Sequence, residues 1–397
     1  MSSLLFSRRL LVFAVIVAAG AVFASWVLSE SALRATGLLA FHPEFYHPPA
    51  TNKSYFEGWY FKQVFSSSSQ GDIDSGAIAV VPGIFFGNAT DSAETHAFVF
   101  VNVGGAEDGN HYYRFPASAF EASSPGEDFM VRIGPNVFTK KGIQLDLTPK
   151  YGDDASLSIQ GALKFSDLKP WPVSLGSLGA MGGVGWLPFL ECRHGVLSFD
   201  HTVKGELRMS SGDGETVSHT FDGDEGYIEK DRGSKFPSTW VWLQTNSMQM
   251  HAHTSIFFSV ARIPFLGMQL PGFTAAVSHG GELHVFASYS GARFEKLEIT
   301  DDFVSVRLRG SGYVLDLKAD RRVPHALLYG PVDGIAMVPS VEEALSATIH
   351  AVLTRASDEA VIFDDVGANA GLEVHGDVEW LADNICGQKL ARWPICL

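Results

Sequence analysis

An all-β protein of two antiparallel barrels or sandwiches in tandem is the fold this sequence predicts, on three observations. Short segments of alternating apolar and polar residues, broken by Gly, Ser, Asp and Pro, recur from about residue 54 onward, the pattern of half-buried antiparallel strands. The 29 Phe, 8 Trp and 10 Tyr, set beside 40 Gly and 18 Pro, suit strands, tight turns and an aromatic interior better than helices. No GxGxxG or GxxxxGK[ST] element precedes a helix pattern, so nothing points to a nucleotide-binding α/β fold. With 397 residues, the chain has room for about two domains, each with its own core.

The first element is a hydrophobic helix within residues 1–40. Arg8 and Arg9 precede an uncharged run from Leu10 to Leu28, long enough to span a bilayer. "VFA" before Ser25 also fits a signal-peptide cleavage site. Retained anchor or cleaved signal, either reading sends the remaining chain into a secretory lumen or leaves it membrane-associated there; plastid targeting is not evident. "NKS" at Asn52 and "NAT" at Asn88 fit glycosylation in that compartment. Cys386 and Cys396 are close enough in sequence to close a small loop, leaving Cys192 free, and no Cys/His spacing marks a metal site.

Residues 41–235 form the first predicted β domain, with strands such as "AIAVVPGIFF", "HAFVFVNV", "GIQLDL" and "GVLSFDHTVKGEL". The second, 236–397, starts a new strand series at "FPSTWVW". Within it, "VEEALSATIHAVLTR" (341–355) fits a helix and an alternating strand equally. A net charge of −15 excludes a nucleic-acid partner, since phosphate binding needs a basic surface.

Three stretches carry candidate chemistry. In "SYFEGWYFK" (54–62), alternation puts Tyr55, Glu57, Trp59 and Phe61 on one face, with Phe56, Tyr60 and Lys62 on the other. Glu57 is expected either to be desolvated among those aromatics, with a raised pKa, or to sit at a partly exposed strand end bonded to a backbone N–H or to a Lys. "ECRHGVLSFDH" (191–201) places His194 and Asp200 on one side of a strand, a pairing suited to proton transfer or to a structural bond. In "GYIEKDRG" (226–233), Tyr227, Glu229 and Asp231 share a face, opposite Ile228, Lys230 and Arg232. Two carboxylates two residues apart repel, so one should hold its proton unless a cation compensates. Beside Tyr227, Trp240 and Trp242, such an acid would face rings able to stabilise a cation.

Together "SYFEGWYFK", "VPGIFF", "RIGPNVF", "ECRHGVLSFDHTVKGEL", "GYIEKDRGSKFPSTWVWLQTN" and "GLEVHG" resemble, in order, the tocopherol cyclase family, over nearly everything after residue 41. Where the family pattern implies an aromatic, this chain has Arg232. The resemblance implies two lipocalin-like β-barrels related to those of carotenoid hydratases. It implies closure of a prenylated hydroquinone to a chromanol, without cofactor or metal. On this reading Asp231 is the first choice of proton donor, with Glu229 or Glu57 as partner or substitute, and His194 and Asp200 orient the quinol or take its proton. Trp59, Tyr60, Tyr227, Trp240 and Trp242 form the substrate-binding wall. A non-catalytic lipid carrier and an isoprenoid hydratase are the competing expectations.

Overall fold

The computed structural model describes residues 39–49, 54–66, 75–87, 94–104, 109–151, 157–187, 190–212, 214–265, 267–332 and 334–385. The N-terminal apolar run, Asn52, Asn88, Cys386 and Cys396 lie outside the described residues. Among those described, no helix is long and apolar enough to cross a membrane.

The strands in chain order begin with β1 (Tyr55–Ser66), β2 (Ser75–Phe86), β3 (His96–Val103), β4 (Asn110–Pro116), β5 (Phe120–Ala122) and β6 (Met130–Ile133). Next come β7 (Asn136–Thr139), β8 (Gly142–Leu147), β9 (Leu157–Ser166), β10 (Val173–Ser174), β11 (Ser177–Leu178), β12 (Cys192–Ser211) and β13 (Thr216–Gly233). Then follow β14 (Trp240–Thr245), β15 (Ser247–Met248), β16 (Ser255–Phe265), β17 (Met268–His279), β18 (Glu282–Ala287) and β19 (Arg293–Ile299). The last are β20 (Phe303–Gly310), β21 (Tyr313–Asp320), β22 (Ala326–Val332), β23 (Ala336–Arg355) and β24 (Val361–His375), before helix α1 (Val378–Ile385).

Two antiparallel sheets contain nearly all of these strands. The first runs β4-β3-β2-β1-β13-β12-β9-β8-β7-β6-β5. It nearly closes on itself, because β4 passes through a single turn at Ala117–Ala119 into β5. The second runs β18-β17-β16-β14-β24-β23-β21-β20-β19, with β15 on β24 and β22 on β23. The architecture is all-β and lipocalin-like, as the sequence predicts. The chain leaves the first sheet at Gly233 and enters the second at Trp240.

The ambiguous segment 341–355 lies within β23, paired to both β21 and β24. Its buried Ile349, Ala351 and Leu353 alternate with partly or fully exposed neighbours, so ladder pairing on two edges selects the two-residue period over the helical one. Curvature is built in at Gly161 and Gly205, with φ of 145° and 141°. A Cβ at either glycine would lie 2.1 Å from a carbonyl oxygen on the neighbouring strand, so β9 and β12 touch backbone to backbone there.

Alternation sorts β1 between two environments. Trp59 and Phe61 point into the first barrel's core, with Phe138, Phe165 and Ile228. Tyr60 faces outward into a third apolar layer with Tyr227, Val196, Trp240, Trp242 and Phe257. That layer lies between the two sheets, and the polar groups of interest are embedded in it.

A candidate acid site between the two barrels

β13 is held between β1 and β12, with Tyr60 opposite Glu229 on one side and His194 opposite Asp231 on the other. Partners in register share a face, so Tyr227, Glu229, Asp231, His194 and Tyr60 all project from the first barrel toward the second. Tyr227 donates from its hydroxyl to Glu229 Oε2 at 2.6 Å. Trp242 donates from Nε1 to the same oxygen at 3.2 Å, and His194 Nε2 lies 3.4 Å from it. The other imidazole nitrogen, Nδ1, is 3.0 Å from Asp231 Oδ1. His194 therefore bridges the two carboxyls, with its ring stacked on Phe257 at 5.2 Å.

The second barrel adds two more acids. Glu343 on β23 and Glu373 on β24 are cross-strand partners. Tyr60 donates to Glu343 Oε1 and Asn102 Nδ2 to Glu343 Oε2, each at 2.7 Å. Trp240 Nε1 donates to Glu373 Oε2 at 2.6 Å. Lys62 is fully buried nearby and donates to Gln244 Oε1 at 2.8 Å.

Desolvation dominates the electrostatics. Burial, reinforced by the Asp231 carboxylate and opposed by His194, pushes Glu229 up to about 7. Burial likewise raises Glu343 to about 7 against the Tyr60 and Asn102 donors. Glu373 is driven well above the usual carboxylate range by burial and by Glu343. Burial pulls Lys62 down to about 7. His194 runs the other way: burial opposes its charge, but Asp231 and Glu229 outweigh that and raise it to about 9. At neutral pH the layer thus holds carboxyls poised to keep a proton beside an imidazolium. Since the Tyr227 hydroxyl favours the ionised form of Glu229, Tyr227→Phe is expected to move the alkaline limb of any Glu229-dependent rate to higher pH. A pH–rate profile of that variant checks it, and an unmoved limb would remove Glu229 from the titration.

Four of the five proposed wall residues, Tyr60, Tyr227, Trp240 and Trp242, lie in this layer, and Tyr60 and Trp242 meet edge to face at 5.7 Å. Trp59 does not. It points into the first barrel, its Nε1 donating to the Glu44 carbonyl.

Two further sequence expectations are corrected. Glu57 is buried as expected, but its pKa is not raised: although desolvation pushes it up, the Lys230 ammonium and His47 hold it down at about 2. Lys230 pairs with it directly, the His47 backbone N–H donates to both carboxylate oxygens at 3.0 Å, and Tyr55 donates at 2.5 Å. It is an anion inside the first barrel and has no proton to give. Asp200 is separated from His194, because register shifts between Val196 and Ser198 and between Ser198 and His201 break the strict alternation of β12. It is bound instead by Lys169 Nζ at 2.8 Å and His253 Nδ1 at 3.2 Å.

Glu343 and Glu373 went unrecognised in the sequence. Glu343 stands beside Glu342 in "VEEALSA" and Glu373 is the one carboxyl of "GLEVHG", and neither stretch carries a local mark of a site. Cys192, a free thiol, lies 3.7 Å from Asp231 Oδ1, and burial keeps it protonated. Single ligand atoms of His194, Glu229 and Asp231 lie within 4.8 Å of one another, so this trio is also the group, among the described residues, that would converge on a cation.

No family model matches the sequence, and no curated protein does. Solved structures match by fold. CghA aligns over 83% of this chain and 90% of its own at 11% identity, with a TM-score of 0.50. CghA with Sch210972 aligns over 82% and 89% at 11% identity and 0.48. A protein described as an AttH from Nitrosomonas europaea aligns over 80% and 92% at 9% identity and 0.43. Identities this low speak to the fold alone, and the first of the three carries that comparison.

Proposed function

We propose that the protein is an acid-catalysed isoprenoid cyclase, closing a prenylated, phytyl-type hydroquinone to a chromanol without a cofactor. One observation carries the reading: Glu229 is buried among Tyr227, Trp242 and His194 with its pKa raised to about 7. Every described contact to Glu229 lands on Oε2, which leaves Oε1 to carry the proton.

The reaction asks for little else. Glu229 gives its proton to one carbon of a trisubstituted alkene, and the other carbon becomes a tertiary cation. The faces of Tyr60, Tyr227, Trp240 and Trp242 stabilise that charge. The phenol oxygen then bonds to the cationic carbon and its proton passes to Asp231, the more exposed of the two carboxyls. His194, between the two, returns a proton to Glu229, so the sum is an isomerisation. General acid catalysis of this kind is worth about 10²–10⁴-fold, and folding the substrate so that oxygen faces carbon supplies much of the rest. An N-terminal membrane-associated segment would hold the protein where such a substrate partitions.

The direct test is incubation of purified protein with a phytylated hydroquinone and analysis for chromanol. Hydration is the second reading, favoured by the 28% exposure of the Asp231 side chain, through which water could reach the cation. It would yield a tertiary alcohol from the same substrate. Binding with neither product would make the protein a lipid carrier.

A further inference from the structure

A second feature lies beside the ends of β12 and β13. There a hollow of about 70 Å³ opens, lined on one side by Arg193, Lys230, Arg232, His47 and an edge of His194 and on the other by Leu178 and Met181. Arg193 and Arg232 are directly opposed across the β12–β13 ladder. Like charges in that relation destabilise a sheet, and the surrounding acids relieve them only in part, Glu57 acting on Arg232 at a distance. Glu57 is taken by Lys230, Glu44 by Lys140 at 2.7 Å, and Glu191 by Lys235 at 3.2 Å. Asp231 projects from the other face, toward His194. Arg193 donates only to the carbonyls of Leu187 and Leu190. Arg232 has no hydrogen-bond or ion-pair partner among the described residues. Three cations against the Glu57 anion leave two guanidinium charges facing one small hollow.

We propose that this hollow binds an oxyanion, a carboxylate or phosphate group, between Arg193 and Arg232. Guanidinium forks match both groups geometrically. The space admits such a group and not an isoprenoid chain, which needs a pocket of several hundred Å³. Leu178 and Met181 give an attached tail an apolar surface on the way out. His194 borders both the hollow and the acid site, but binding alone reads this proposal out, without any assay of cyclisation.

The experiment is isothermal titration of the full chain at low salt with dodecyl phosphate, dodecanoate, inorganic phosphate and uncharged dodecanol. The expected result is that the anionic amphiphiles bind at least tenfold tighter than dodecanol, and that Arg232→Leu loses at least tenfold for the anions alone. Inorganic phosphate binding as tightly as dodecyl phosphate, and lost in Arg232→Leu, supports the same site with a free anion as occupant. Arg232→Leu is also expected to melt no lower than the wild type, since a like-charge opposition is removed. Equal binding of dodecanol and dodecyl phosphate, or undiminished anion binding by both Arg232→Leu and Arg193→Leu, overturns the proposal.

Discussion

Glu229→Gln is expected to reduce cyclisation by about 10²–10⁴-fold, the range for removing a general acid, while leaving the fold and quinol binding intact. Glutamine has nearly the same shape, and its carbonyl oxygen can still accept from Tyr227 and Trp242, as Glu229 Oε2 does. What is lost is the transferable proton. The pH dependence gives a second, independent readout. The wild-type rate should be level in mildly acidic solution and fall as pH rises through about 7, where Glu229 ionises. Asp231→Asn should cost less, because the proton source remains and only the acceptor of the phenolic proton is weakened. Product formation by Glu229→Gln at the wild-type rate would assign the donor to another carboxyl, with Glu343 next to be tested.

Lys230→Met is expected to destabilise the protein by about 3–5 kcal/mol, the cost of breaking a buried pair from one side. Glu57 is fully buried and Lys230 nearly so, and they are in direct contact. Burial weighs on both: Lys230 is pulled down to about 8 even as Glu57 is held at about 2. The close contact keeps both charged at neutral pH. Removing the ammonium strands a carboxylate that water cannot reach. The double variant Glu57→Gln/Lys230→Met should recover most of the loss, and urea unfolding of the three proteins checks both statements. The sign with pH follows from the depressed Glu57 value. Its contribution is complete above the ordinary carboxylate range and disappears as pH falls toward about 2. A single variant as stable as the wild type would show that the pair contributes nothing.

The two acids illustrate how far local sequence reaches. Alternation in "SYFEGWYFK" and "GYIEKDRG" put Tyr60 and Lys62, and Tyr227, Glu229 and Asp231, on the correct faces, because side-chain direction in a strand depends only on position parity. The same parity rule failed in "ECRHGVLSFDH". Register shifts in β12 between Val196 and His201 separate Asp200 from His194, and no residue in that stretch announces them. Glu57 failed differently. Its desolvation was legible, but the cation that reverses its titration, Lys230, is supplied by a strand more than 160 positions away.

What the sequence determined alone is the strand-rich architecture, the aromatic wealth and the clustering of Glu229 and Asp231 beside rings. These follow from periodicity and composition, which are local properties. Tertiary structure decided which acids keep their protons. Packing one barrel against the other removes water from Glu229 and Glu343, leaves Glu373 partly buried beside them, and surrounds the three with indole and phenol donors, whereas Glu57 is met by an ammonium ion. A carboxyl's charge depends on what lies within a few ångströms in space, and most of those neighbours are remote along the chain.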